Sequence, residues 1–212
     1  MDAALSWLNR ALILAGPVLL AVTVHELAHG YVAFRKGDPT AKLAGRLTLN
    51  PIKHLDLVGT LVFFITQMIG WAKPVPVDPR YFKRPKQDMI WVSLAGPGAN
   101  LALAVIFAGL YHFLGSLSIM PGQTTVISVL KLAYVLAYLT VVINIGLAVF
   151  NLIPIPPLDG SHVLEGLLPP EMSSSFERLK PFGFLILLGL IFLGVINKVI
   201  YPIIIAIRGL LL

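Results

Sequence analysis

Ala21-Val22-Thr23-Val24-His25-Glu26-Leu27-Ala28-His29-Gly30-Tyr31 decides how this chain is read. The stretch holds an HExxH motif inside a strongly apolar run. On an α-helix, residues four apart lie about 40° apart around the axis and about 6 Å apart along it. His25 and His29 can therefore offer two imidazole nitrogens to one Zn²⁺. Glu26 stands beside them, placed to polarise a water at the metal. The plain alternative is a helix with two unrelated histidines. It leaves unexplained why Glu and two His stand among Leu, Val and Ala, where each is costly to bury.

Outward from the motif the apolar character continues. Hydrophobic residues make up 57% of the 212, charged residues only 12%, and the mean hydropathy is +0.87. A soluble domain carries about twice that charged fraction. The composition is that of an integral membrane protein, with the lipid bilayer as its first partner. Cysteine is absent, which excludes disulfides and leaves His and carboxylates as ligands for a transition metal. The net charge of +6 fits orientation in the membrane and contact with anionic lipid, not nucleic-acid binding. Residues 1–10 are weakly amphipathic and lack the basic start and cleavage site of a signal peptide, so the first helix reads as retained.

Three apolar runs are long enough to cross a bilayer: about 11–34, which contains the motif, 88–114 and 126–150. Residues 57–71 are apolar but short, which points to a re-entrant or interfacial segment. Ala72-Lys73-Pro74-Val75-Pro76-Val77-Asp78-Pro79 is too rich in proline for a helix. Leu43, Gly45, Leu47 and Leu49 alternate with Ala44, Arg46 and Thr48, the period of a short hairpin or edge strand, or else of an ordinary loop. A strand edge there could pair with an extended peptide. Residues 115–125 read as a loop. The apolar stretch 181–212 fits one kinked helix or two short ones, given Asn197, Lys198 and Pro202. The expected fold class is an all-α membrane helix bundle: a three-helix core, re-entrant and β-hairpin elements, and a C-terminal helix or helices. Residues 1–168 form the membrane-embedded core, and 169–212 a polar connection with C-terminal transmembrane segment or segments.

Charge tests this arrangement. Arg35, Lys36, Lys42, Arg46 and Lys53 precede the short apolar segment, and Lys73, Arg80, Lys83, Arg84 and Lys86 follow it. If 57–71 crossed the membrane, two equally basic loops would face opposite sides. If it is re-entrant, both face the cytoplasm. That parity also brings the HExxH motif, Gly96–Asn100 and Asp159 to the same cytoplasmic half of the bilayer. The expected location is the cell membrane, inner or plasma, with several passes.

Zinc needs a third protein ligand if one position is to stay open to water. Asp159 is the candidate, after the proline-rich break at 154–157; its other reading is a helix N-cap. Asn100 reads either as a donor to a developing oxyanion or to substrate backbone, or as packing beside Gly96 and Gly98. Asn151 carries the same ambiguity, with a further option of satisfying carbonyls freed by Pro154 and Pro156. His54 and Asp56 form either a pair near the site or local loop contacts. His162 is an alternative ligand, His112 a packed or interfacial residue, and Glu165 a solvent-facing one.

His25-Glu26-Leu27-Ala28-His29-Gly30, Gly96-Pro97-Gly98-Ala99-Asn100 and Asn151-Leu152-Ile153-Pro154-Ile155-Pro156-Pro157-Leu158-Asp159-Gly160 together resemble the motifs of the site-2 protease family of intramembrane zinc metalloproteases. Asn50-Pro51 through Gly59 and Gly70 through Val77 add to the resemblance, which spans about residues 11–168. It implies a metalloprotease core with one Zn²⁺ on His25, His29 and Asp159, and Glu26 as general base. It implies single-span membrane proteins or membrane peptides as substrates, cut within or near the bilayer. It implies contact of Asn100 with substrate or transition state, and pairing of the Leu43–Leu49 strand with substrate. No stretch reads as the PDZ or CBS domain of other branches.

Two rival functions use the same residues. A metal transporter would need further carboxylates and histidines along its path, and the outer halves of the spans are almost free of them. A scaffold that kept the fold without catalysis would have no need of the intact Glu26 and ligand set.

Overall fold

The structure is a computed structural model that describes residues 2–66, 70–117 and 124–212. Helix α1 (Asp2–Arg35) takes in the amphipathic start and the motif in one run. The one-turn α2 (Thr40–Leu43) follows. Next come α3 (Leu57–Thr66), α4 (Pro85–Ser116) and α5 (Thr124–Asn151). Four shorter helices close the chain: α6 (Asp159–Leu167), α7 (Pro170–Glu177), α8 (Gly183–Phe192) and α9 (Val195–Leu211). The described residues contain no strand.

Three stretches are long and apolar enough to cross a bilayer: Trp7–Arg35, Pro85–Ser116 and Thr125–Asn151. The protein is a multi-pass membrane protein. Helix α4 is central and packs on α1, α5 and α6, while α5 also meets α1 and α9. Small residues line these contacts, with Ala21, Ala33, Ala104, Ala108, Ala137 and Ala148 all buried. Large residues such as Leu12, Ile106, Phe113, Val129 and Phe184 point outward. This is the distribution expected where lipid is the solvent and helices gain by close backbone approach.

Helix α3 has 10 residues, about 15 Å of rise, half of a hydrocarbon core about 30 Å thick. Leu55 and Ala72 form an antiparallel bridge, and the Lys73 amide donates to the His54 carbonyl at 2.9 Å. The two ends of 56–71 therefore meet, and the segment is an excursion that returns to its start. Residues 67–69, within it, lie outside the described residues, as do 118–123 of the expected loop at 115–125.

The expected hairpin at Leu43–Leu49 does not form. Leu43 ends a helical turn and Gly45 takes φ +65°. Arg46 turns inward while Leu43 and Leu49 are exposed. The alternation broke on Gly45, whose left-handed backbone reverses the direction a strand needs. The C-terminal stretch is two helices bent by 77°. The break falls at Gly194, φ +71°, and not at Asn197-Lys198 or Pro202, which α9 absorbs.

Candidate metal centre

The site lies where α1, α4 and α6 meet. Helical spacing places His25 and His29 on one face of α1, and their Nε2 atoms are 3.0 Å apart. Asp159 opens α6, just beyond the proline-rich break. Its Oδ2 stands 3.1 Å from His25 Nε2 and 3.3 Å from His29 Nε2. Asp159 is the first helical residue; the N-cap position is Leu158, and no side chain caps this helix. The carboxylate is thus free of the capping role that its sequence position allowed.

Partners on the other ring nitrogens settle the tautomers. His29 Nδ1 faces the Val92 carbonyl at 2.7 Å, which can only accept. His25 Nδ1 faces Asn100 Oδ1 at 2.6 Å. The Asn100 amide nitrogen donates to the Ala21 carbonyl at 3.0 Å and to Asn144 Oδ1 at 2.7 Å, and Asn144 in turn donates to the Thr140 carbonyl at 2.8 Å. Each amide is oriented by its neighbour, so Asn100 Oδ1 is an acceptor and His25 Nδ1 carries the proton. Both Nε2 lone pairs then face Asp159.

Three electron-pair donors converge with no donor hydrogen assigned among them, and Asp159 Oδ2 is buried without a hydrogen-bond partner. A tetrahedral zinc with bonds of about 2.0–2.1 Å has ligand atoms about 3.3 Å apart. The observed separations, 3.0–3.3 Å, fit that edge length. His25, His29 and Asp159 form the one such group of His and carboxylate side chains among the described residues. Metal-binding histidines commonly donate their second N–H in this way, to fix ring and tautomer.

Gly96 lets α4 approach. A Cβ there would lie 2.3 Å from His29 Nε2 and 2.6 Å from His25 Cε1. Glu26 is half-buried next to the histidines, close enough for its charge to act on His29. Its Oε2 accepts the Val75 amide at 2.8 Å. Val75 belongs to a strap, residues 72–78, that crosses this face of α1. Buried Asp38 holds one end of the strap by accepting the Asp78 amide at 2.7 Å, and also accepts from the Thr40 amide and hydroxyl. A salt bridge of 3.0 Å between Lys36 and buried Asp88 pins the end of α1 to the start of α4. On α1, about one to three turns before Glu26, Gly16, Leu19, Leu20 and Thr23 line a crevice of about 280 Å³ beside Leu49 and Pro51.

Other candidate residues have different work. Asn100 has both amide hydrogens bonded to Ala21 and Asn144, and its Oδ1 faces His25. Asn151 donates to the Leu147 carbonyl at 3.0 Å in its own helix. His54 is fully buried and bonds the Thr48 carbonyl at 2.8 Å, shaping its loop. Asp56 accepts the Gly59 amide at the start of α3. His162 lies 3.6 Å from Glu165 and outside the metal group. Glu165 is not solvent-facing; it also pairs with Lys180 at 2.8 Å. His112 is exposed and meets the Leu211 carbonyl. Leu43, Leu47 and Leu49 form no strand. The sequence reading overlooked Asn144, the Val92 carbonyl and the Val75 amide. Asn144 carried a signal, as an amide within an apolar span; the two backbone groups carried none.

An apolar bundle that buries this donor set defines a membrane-embedded metalloprotein. Comparison with known sequences narrows the class. The profile of Peptidase family M50 matches residues 113–196, a stretch that contains Asp159. The chain is 39% identical over 188 residues to "Putative zinc metalloprotease YwhC" of Bacillus subtilis, covering 87% of this chain and 82% of that one. It is 32% identical over 198 residues to "Putative zinc metalloprotease Rip2" of Mycolicibacterium smegmatis, covering 92% and 72%. The chain belongs to peptidase family M50, the site-2 protease family of metalloproteases. No solved structure matches it.

Proposed function

We propose that this protein is an intramembrane endopeptidase with one zinc ion held by His25, His29 and Asp159, and with Glu26 as its general base. The observation that carries the reading is the convergence of three candidate ligand atoms, each within 3.3 Å of the other two, with both Nδ1 atoms bonded to acceptors elsewhere. Zinc, when bound, supplies a Lewis acid that polarises a peptide carbonyl and makes water nucleophilic near neutral pH. The rest is done by the chain. Asn100 and the Val92 carbonyl keep the imidazoles oriented. Glu26 takes a proton from the attacking water at its carboxylate and delivers it to the leaving amine nitrogen.

The substrates we infer are single-span membrane proteins or membrane peptides, cut within or near the bilayer. A transmembrane helix shields its own carbonyls in i to i−4 bonds, so the cleaved segment must first unwind. The crevice lined by Gly16, Leu19, Leu20 and Thr23 reaches to within one turn of Glu26 and is the entry we assign to that segment. Because the excursion between the basic loops at 35–53 and 73–86 closes on itself, we take both loops to belong to one end of the bundle. The positive-inside tendency then assigns that end, and the metal group with it, to the cytoplasmic half of the cell membrane.

Purified protein is to be assayed for zinc content and for cleavage of a model transmembrane peptide, wild type against Glu26→Gln. Expected is cleavage by the wild type and none by the variant, with zinc retained in both. Cleavage by Glu26→Gln would overturn the assignment of the base.

A further inference from the structure

Arg46 lies in a loop that the metal group does not include, yet its guanidinium is buried, with 6% of the residue exposed. Its bonds go to neutral partners. Nη1 donates to the Pro74 carbonyl at 3.2 Å and Nη2 to the Lys73 carbonyl at 2.5 Å, while Nε is buried without a partner. A buried cation with only carbonyls around it is costly unless an opposite charge is reached in some way.

The Pro74 carbonyl and the Val75 amide are the two ends of one peptide group. That group is trans, the one cis bond among the described residues being Pro156-Pro157, so its oxygen and hydrogen point in opposite directions from a rigid plane. At the far end the Val75 N–H donates to Glu26 Oε2 at 2.8 Å. One peptide plane thus joins guanidinium to carboxylate. The cation draws on the carbonyl, the amide becomes a better donor, and the anion accepts; each dipole polarises the next.

The plane has little freedom to turn. Proline fixes φ at 74 and 76, and a following proline restricts Lys73 and Val75 to extended backbone. The Lys73 amide is tied to His54 and the Asp78 amide to Asp38. The Val75 side chain rests on Gly30, where a Cβ would come within 3.0 Å of it.

We propose that Arg46 is a positioning residue for Glu26, acting through the Pro74–Val75 peptide group. The proposal rests on Glu26 being the base of the protease proposed above. Fixing Oε2 on the amide sets the rotamer of a flexible side chain and leaves Oε1 as the oxygen that receives the proton. It also gives the buried guanidinium its counter-charge.

The test compares wild type, Arg46→Gln, Arg46→Lys, Val75→Pro and the Arg46→Gln/Val75→Pro double variant on a model transmembrane peptide. Val75→Pro removes the donor hydrogen in a segment already bounded by prolines. Expected for Arg46→Gln and Val75→Pro is a fall in kcat of about 10- to 100-fold, with zinc content and KM kept. Arg46→Lys should recover part of it, since an ammonium reaches a carbonyl but lacks the fork. If Arg46 acts through this peptide group, the double variant loses no more than either single one.

Amide exchange in the zinc-free protein gives a second readout. Val75 carries the one amide hydrogen between Pro74 and Pro76, so its exchange is distinct from that of Lys73 and Asp78. Arg46→Gln should expose Val75 while Lys73 and Asp78 stay protected. Additive losses in the double variant, or exposure of all three amides together, would assign Arg46 to holding the fold and overturn the proposal. Unchanged kcat in Arg46→Gln, with Glu26→Gln inactive, overturns this proposal alone. No cleavage by zinc-loaded wild type overturns the protease reading, and this inference with it.

Discussion

Replacing Gly96 with alanine adds one carbon to the wall of the metal centre. The new Cβ would stand 2.3 Å from His29 Nε2 and 2.6 Å from the Cε1 atoms of both His25 and His29. Ordinary contacts between such atoms are about 3.5–4.0 Å, so α4 or the imidazoles must retreat by roughly 1 Å. The rings have little room, because their Nδ1 atoms are bonded to Val92 and Asn100 on α4 itself. Overpacking of this kind costs about 1–3 kcal/mol of stability. Disturbing the partners of metal-bound histidines lowers affinity about 10- to 100-fold, and a misplacement of about 1 Å lowers turnover about 100-fold. Gly98 is the control, two residues on in the same helix with nothing within 4 Å of its added Cβ. Gly98→Ala should be neutral or slightly stabilising through helix propensity. Zinc affinity by competition with a chelator, and unfolding in detergent, would be read for both. Unchanged zinc affinity in Gly96→Ala would refute the close approach of α4 to the two histidines.

Three further outcomes are expected. Asn100→Ala removes the acceptor from His25 and should weaken zinc binding about 10- to 100-fold, with Asn144→Ala weaker in effect because it acts one bond further away; chelator competition orders them. Lys36→Met leaves buried Asp88 with its amide contact alone and should destabilise by about 2–3 kcal/mol, while adding Asp88→Leu should restore most of the loss in thermal unfolding. Gly194→Ala forces a side chain into the left-handed backbone of the α8–α9 break and should cost about 1–2 kcal/mol, seen as a lowered unfolding midpoint with zinc affinity kept.

The parts of the site carried by side chains at helical spacing were readable in the chain. His25, Glu26 and His29 announce themselves by standing in an apolar run, and Asp159 by following a proline break. Asn100 was found, but its bond to His25 was not. Whether an amide faces substrate or holds an imidazole depends on the partners of its own two hydrogens, and those come from α1 and α5. The Leu43–Leu49 alternation misled because period two is also what a turn gives when a left-handed glycine sits in its middle. The strap gave the opposite lesson. Its prolines excluded helix correctly, yet the group that touches Glu26 is the Val75 N–H, which every residue but proline carries. Arg46 looked like one more basic loop residue; its inward turn is a tertiary fact.

The bridge between Leu55 and Ala72 has a consequence for how this architecture can change. Because the chain is pinched at that neck, residues 56–71 form a side branch whose length is uncoupled from the distance between Arg46 and the strap. Doubling the length of such a closed branch costs only about 0.6 kcal/mol of chain entropy. The branch is therefore a natural graft point: a longer insert could be carried there with the alignment of Arg46, Val75 and Glu26 left as it is.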